Sequence, residues 1–285
     1  RKIGFVSRRQ QPAEKSARGG SVVIDFHCHA WLDKLAAGAV RSLAEKAHIP
    51  AFTDGTLADT RRMQHGQGVE KFVLLNIAVS PRTERHVNDF AVSLAGEEDV
   101  IPFGSVHPDS VNALSELVRL KAAGIKGVKF HNEYQNFFVD DEKAFPLYEK
   151  CEELGLVMLF HGGRDLGFSP PVKASPARLR RVAERFTGAK IVAAHLGGQG
   201  MEEEAIDELA PTHVFIDTGY AARCASAELG EKVIRAFGAD RVLFGTDCPW
   251  DTPANTLRWL GEIALTQEER EKICDGSAKR LLDLT

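Results

Sequence analysis

The sequence predicts an α/β protein: a distorted (β/α)8 barrel of the TIM type, as a single domain with a helical insertion after the first strand. Three observations predict it. From residue 21 onward, eight short apolar runs alternate with amphipathic stretches, and runs of four to eight apolar, often β-branched residues suit strands buried on both faces. The runs start about 23 to 49 residues apart, near the length of a βα unit, and the span 21–285 is close to the roughly 250 residues of such a barrel. No G-x-G-x-x-G turn follows a strand, which counts against an open, doubly wound sheet.

The elements follow in order. Strands are read at 22–28 (VVIDFHC), 71–79, 100–106, 125–131 (IKGVKFH), 156–161 (LVMLFH), 190–195 (KIVAAH), 213–218 and 241–247 (RVLFGTD). The stretch 32–68 is longer than one crossover needs and is expected to add helices over the barrel mouth or at a subunit contact. Helical spacing covers 82–95, which ends before Gly96, and 110–123, which ends at Gly124. It covers 141–154, stopped by Gly155, and 176–187, where Ser175 and Pro176 read as the N-cap and first helical position and Gly188 closes the segment. Residues 201–209, 226–237, 253–264 and 267–283 complete the set.

The chain has 285 residues, 44% hydrophobic and 27% charged, with a net charge of −4. That is ordinary for a globular protein and unlike a binder of phosphate backbones. No apolar run approaches the roughly 20 residues that span a bilayer. Residues 1–20 carry six basic side chains against Glu14 alone and lack the apolar core of a secretory signal. They read as a basic N-terminal arm, with 21–285 as the barrel. The five cysteines are scattered and form no Cys-x-x-Cys pair, which points to a reducing, cytoplasmic setting and away from a disulfide framework.

The functional signal is positional. Six of the apolar runs end in residues that chemistry uses: His27 and His29, Lys129 and His131, His161, His195, Asp217 and Asp247. In a barrel these ends converge on the face where active sites form. In His27-Cys28-His29, alternation along a strand turns both imidazoles to the interior and Cys28 toward the helices. Two neutral imidazoles on one face make half of a metal site. His161, followed by two glycines, and Asp247, a carboxylate at the end of an apolar run, complete a ligand set of His27, His29, His161 and Asp247. His195 reads as a second metal's ligand or as a general acid/base. Lys129 has three readings: a carboxylated bridge between two metals, a holder of substrate carboxylate, or the partner of a nearby acid. His131 and Trp31 read as pocket lining, and Arg164 as a bidentate clamp for a substrate carboxylate.

FHCHAW, GVKFH, LFHGG, AAHLGG and LFGTDCPW, in this order, resemble the amidohydrolase superfamily. The resemblance runs over residues 21–285 and is to its amidohydrolase-related branch, which includes the aminocarboxymuconate-semialdehyde decarboxylase-like enzymes. It implies the barrel and a divalent metal, with His27, His29, His161 and Asp247 as ligands and His195 acting on the substrate or on metal-bound water. One Zn2+ is the expected cofactor, with Mn2+ or Fe2+ as alternatives and no second metal. The resulting expectation is a metal-dependent hydrolase that attacks a small, carboxylate-bearing substrate with a metal-activated water, Asp247 and His195 moving protons. A non-oxidative decarboxylase of the same family is the alternative, and a catalytically silent metal-binding protein the remote one. The expected partner is a small molecule, with neither nucleic acid nor membrane, and a homodimer is the assembly entertained.

Overall fold

A computed structural model of the chain describes residues 22–284; the basic arm read over 1–20 lies outside them. Eight parallel strands run in chain order: β1 Ile24–Cys28, β2 Lys71–Leu75, β3 Val100–Phe103, β4 Gly127–Phe130, β5 Val157–Phe160, β6 Ile191–Ala193, β7 Phe215–Asp217 and β8 Val242–Leu243. Regular pairing divides them into β1–β2–β3 and β4–β5–β6–β7–β8. Single bridges span the two seams, Gly104 with Val128 and Cys28 with Cys248. The predicted barrel is therefore present, distorted at those seams. Every strand is shorter than its apolar run. The regular strands end before most of the polar residues that close the runs, so His29, His131, His161, His195 and Asp247 stand past their strands, while Asp217 is the last residue of β7.

The insertion after β1 forms two helices, α1 Asp33–Ala47 and α2 Leu57–Gly66, as expected. The outer helices then follow: α3 Pro81–Ser93, α4 Ala113–Ala122, the short α5 Asn132–Gln135, α6 Phe145–Leu154, α7 Pro176–Arg185, α8 Glu202–Glu208, the short α9 Ala221–Cys224, α10 Ala227–Phe237 and α11 Pro253–Glu262. The single helix expected over 267–283 is broken. α12 Gln267–Glu271 passes through a π-helical turn at Lys272–Gly276 into α13 Ser277–Leu282. The turn brings the Ile273 carbonyl to accept from the Phe244 N–H at 2.9 Å, a tie to β8 that helical periodicity cannot anticipate. Among the described residues no helix is long and apolar enough to cross a membrane.

The core has two layers. Ile24, Phe26, Val73, Leu75, Phe103, Val157, Leu159, Val192 and Leu243 form an inner cluster, and Ala278, Leu281 and Leu282 of α13 pack against it. The alternate residues, among them Cys28, Phe72, Leu74, Val128, Phe130, Met158 and Ile191, join the layer shared with the helices. Strict alternation along β1 would put His27 and His29 on the same face as Asp25, which bonds outward to Gln64 of α2 at 2.9 Å. The β1–β2 register shifts between Asp25 and Cys28. That bulge changes the phase of the strand, so Cys28 goes to the helices and both imidazoles to the interior.

The loops after β5 and β6 lie backbone to backbone, with Arg164 N–H donating to Gln199 O at 2.9 Å and Gln199 N–H to Gly162 O at 3.0 Å. A Cβ at Gly163, where φ is +77°, would stand 2.3 Å from Gln199 N. Gly163→Ala is expected to lower stability by about 3 kcal/mol through overpacking and left-handed strain. Urea denaturation checks this, and an unchanged midpoint would disprove the close approach.

Candidate metal and substrate site

The strand ends surround a cavity of about 160 Å³. Its floor is polar and its walls carry Trp31, Tyr134, Tyr220 and Trp250. His27, His29, Lys129, His131, His161, His195 and Asp247 all line it. Three of these side chains sit on backbone turned against its usual preference. φ is +59° at His195, +65° at Asp247 and, on the wall, +59° at Tyr220. Such conformations cost of order 1–3 kcal/mol each and persist where the surroundings enforce them.

Hydrogen bonds fix the tautomer of each imidazole. His29 Nδ1–H donates to the Leu75 carbonyl at 2.7 Å, and His27 Nδ1–H donates to Asp217 Oδ2 at 2.8 Å. Burial pushes the His27 pKa down to about 3, so the ring is neutral and its Nε2 carries a bare lone pair. His195 Nδ1–H donates to the Gly219 carbonyl at 2.9 Å, and its bare Nε2 accepts from His161 Nδ1–H at 3.0 Å. Burial also holds His161 well below the usual imidazole range. Its Nε2 is therefore bare, and it is buried without a partner among the described residues. Burial works against the charge of Asp217, yet its contacts with His27 and with the His195 backbone N–H hold its carboxyl at about 2.

The result is an excess of electron pairs. Asp247 Oδ1 lies 3.3 Å from His27 Nε2 and 3.1 Å from His29 Nε2. The bare Nε2 of His27 and the Asp247 carboxylate oxygen repel one another unless positive charge lies between them, and His29 Nε2 is within reach of the same point. Part of that charge comes from Lys129, buried, with Nζ 3.4 Å from His27 Nε2. Burial lowers its pKa to about 8 while Asp217, Asp247 and Asp165 pull the other way. The donor set is nitrogen and oxygen only, the chemistry of a divalent transition-metal site. His27, His29 and Asp247 offer donor atoms within 4.8 Å of one another; His161 falls in a second such group with His131 and Asp165. His161 stands outside the first group; its ring lies beside that of His195, with centroids 4.7 Å apart, and His195 in turn lies 4.9 Å from the ring of His27.

The remaining expectations divide. Trp31 lies against His29, with centroids 6.4 Å apart and planes 25° apart. His131 stacks on His161 at 4.3 Å, and its Nε2 is 3.2 Å from Asp165 Oδ2. Arg164 is a correction. It is exposed and outside the lining of the cavity, because neighbouring residues of that loop turn opposite ways and it is Asp165 that turns inward. The clamp expected of Arg164 has no place here. Sequence reading missed Asn76 and Gln199, which also line the cavity. The available signal for Asn76 was a single polar residue interrupting the apolar run 71–79.

The family model described as amidohydrolase matches residues 24–284. Among solved structures, 5-carboxyvanillate decarboxylase from Sphingomonas paucimobilis superposes with a TM-score of 0.72 at 17% identity, over 93% of this chain and 100% of that one. Dihydroxybenzoic acid decarboxylase from a Polaromonas species, with bound manganese and the inhibitor 2-nitroresorcinol, gives 0.70 at 18% identity, over 93% and 98%. An uncharacterized TIM-barrel protein from Bordetella bronchiseptica gives 0.71 at 20%, over 92% and 98%. At these identities the likeness is one of fold. A stretch of 160 residues is 30% identical to the tryptophan synthase alpha chain of Natronomonas pharaonis, covering 53% of this chain and 47% of that protein. The chain thus matches about half the length of that relative.

Proposed function

The chain belongs to the amidohydrolase family, and on that premise we propose that it is a metal-dependent, non-oxidative decarboxylase of a small aromatic carboxylate. The observation that carries the proposal is the convergence of the Nε2 atoms of His27 and His29 on Asp247, beside Lys129 and under aromatic walls. Hydrolysis, which the sequence alone ranked first, has less support, because the named structural neighbours of known activity decarboxylate aromatic acids. Manganese is preferred to the zinc expected from sequence, since a neighbour binds it.

In this reading His27, His29, His161 and Asp247 hold the cation. When bound it supplies a Lewis acid that polarises and orients the substrate's oxygens. The chain does the rest. Lys129 balances the substrate's negative charge at the cavity floor. Trp31, Tyr220 and Trp250 clasp the ring and exclude water. Breaking the bond to the carboxylate carbon releases CO2 and leaves an electron pair on the ring carbon, which takes a proton. His195 is the residue assigned to carry that proton on Nε2, with Nδ1–H kept on Gly219.

Protein reconstituted with Mn2+ is expected to release CO2 from one or more substituted hydroxybenzoates, measured by headspace analysis and loss of the acid. Dialysis against a chelator should abolish turnover, and added Mn2+ should restore it. Formation of a carboxylate and an amine or alcohol from amide or ester substrates, with no CO2 from any acid, would return the assignment to hydrolysis.

A further inference from the structure

Asp25 is fully buried, lies outside the lining of the cavity and takes no part in the mechanism above. Burying a carboxylate costs stability unless its lone pairs are met, and the groups that meet these are neutral. Oδ1 accepts from the His27 and Thr246 backbone N–H groups, each at 3.0 Å. Oδ2 accepts from the Thr246 hydroxyl at 2.6 Å and from Gln64 Nε2 at 2.9 Å.

These bonds join β1 to the segment after β8, across a seam where regular pairing is interrupted. The donors assigned to the cation stand on both sides of it, His27 and His29 with β1 and Asp247 past β8. Backbone hydrogen bonds cross the seam from Phe26 N–H to the Phe244 carbonyl at 2.7 Å, from Asp247 N–H to the His27 carbonyl at 2.8 Å and from His29 N–H to the Cys248 carbonyl at 2.6 Å. In an unbroken parallel ladder the first of these is followed by Thr246 N–H donating to the Phe26 carbonyl. Here Thr246 N–H turns to Asp25, and the next backbone bond is made one residue out of step, by Asp247. The carboxylate thus takes up an N–H on each side of the slip.

We propose that Asp25 is a positioning residue: by holding that slip it sets the spacing of His27 from Asp247, and with it the geometry in which a cation is taken; this rests on the metal reading given above. The contacts continue to both flanks of Asp247. The Thr246 hydroxyl that donates to Asp25 accepts from the Cys248 N–H at 3.0 Å. Asp247 therefore has a fixed residue on each side. Its left-handed backbone, with φ +65°, is a conformation that lasts only where the surroundings enforce it. Gln64 ties the far side of the carboxylate to α2, and its Nε2 lies 3.1 Å from Cys28 Sγ, so the helical insertion also bears on the seam.

The test uses the full chain, purified metal-free and titrated with Mn2+ in competition with a chelator. The visible spectrum of the Co2+-loaded chain reads coordination geometry, and urea unfolding of the metal-free chain reads the scaffold. Asp25→Asn is expected to weaken Mn2+ binding by about 10- to 100-fold and to shift the Co2+ bands, because an amide offers lone pairs to only one of the two pairs of donors. Thr246→Val, which keeps the backbone N–H but loses the hydroxyl, should weaken binding by about tenfold, and Thr246→Ser, which keeps the hydroxyl, should stay within about threefold of the wild type. If Asp25→Asn does not fold, the Thr246 pair decides. A purely structural role predicts lower urea midpoints with affinity and Co2+ spectrum unchanged; that result would overturn the proposal and leave the metal reading in place. A wild type that takes neither ion overturns both. Weaker binding and shifted bands in the variants, with no CO2 released by the wild type from any acid, leave the role of Asp25 standing and remove the decarboxylase reading.

Discussion

His195→Asn is expected to lower kcat by about a hundred- to ten-thousandfold, the usual contribution of a positioned proton carrier, while metal content stays that of the wild type. Asparagine keeps a polar group near the Gly219 carbonyl but has no ring nitrogen to hold and release a proton. His195 is not among the four assigned donors, so the ion should remain. Its backbone supports a dedicated role: it is left-handed, as is Leu196, and the N–H of His195 is tied to Asp217 Oδ1 at 2.9 Å. The measurement is a kcat/KM profile beside elemental analysis of purified protein. Loss of metal with loss of activity would move His195 into the ligand set, and full activity would remove it from the chemistry.

Asp217→Asn should weaken metal affinity by about 10- to 100-fold, the usual effect of removing the group that orients a ligating histidine. Asp217 touches no substrate. Oδ2 accepts from His27 Nδ1–H at 2.8 Å, and Oδ1 accepts from the N–H groups of His195 and Gly219, each at 2.9 Å. An amide cannot satisfy both sets, because its NH2 must face donors on one side. If it faces His27, the imidazole loses the partner that keeps its proton on Nδ1, and Nε2 no longer offers a reliable lone pair. Competition with a chelator reads the affinity, and an unchanged constant would show that His27 does not depend on this contact. A pH signature accompanies it. The carboxyl lies at about 2 in the folded chain against 3.8 ordinarily, so its stabilising effect is complete above pH 3.8 and fades as the pH falls through about 2. Acid unfolding in that window should be less steep in the variant.

The barrel was legible because the evidence for it is local. Eight apolar runs at βα spacing are visible without knowing any contact, and the insertion at 32–68 announced itself by length alone. The residues that line the cavity were legible for the same reason: imidazoles and carboxylates at the ends of apolar runs come together when those ends do. Arg164 was misplaced because composition cannot tell which way a loop residue turns, and Asp165 beside it holds the inward position. Asn76 was passed over because one asparagine carries no pattern. The bulge in β1 was also hidden, since pairing with β2, not the sequence of β1, determines where the register slips.

What the sequence determined by itself was the kind of protein and the kind of site: strand order, the donor types and the rim on which they gather, all consequences of residue type and short-range periodicity. Only the tertiary structure decided which nitrogen of each imidazole is free. The groups that set the tautomers lie far along the chain from the rings they hold, Asp217 190 residues from His27, Leu75 46 from His29 and Gly219 24 from His195. A proton on an imidazole goes to the nitrogen facing the stronger acceptor, and which acceptor that is depends on folding.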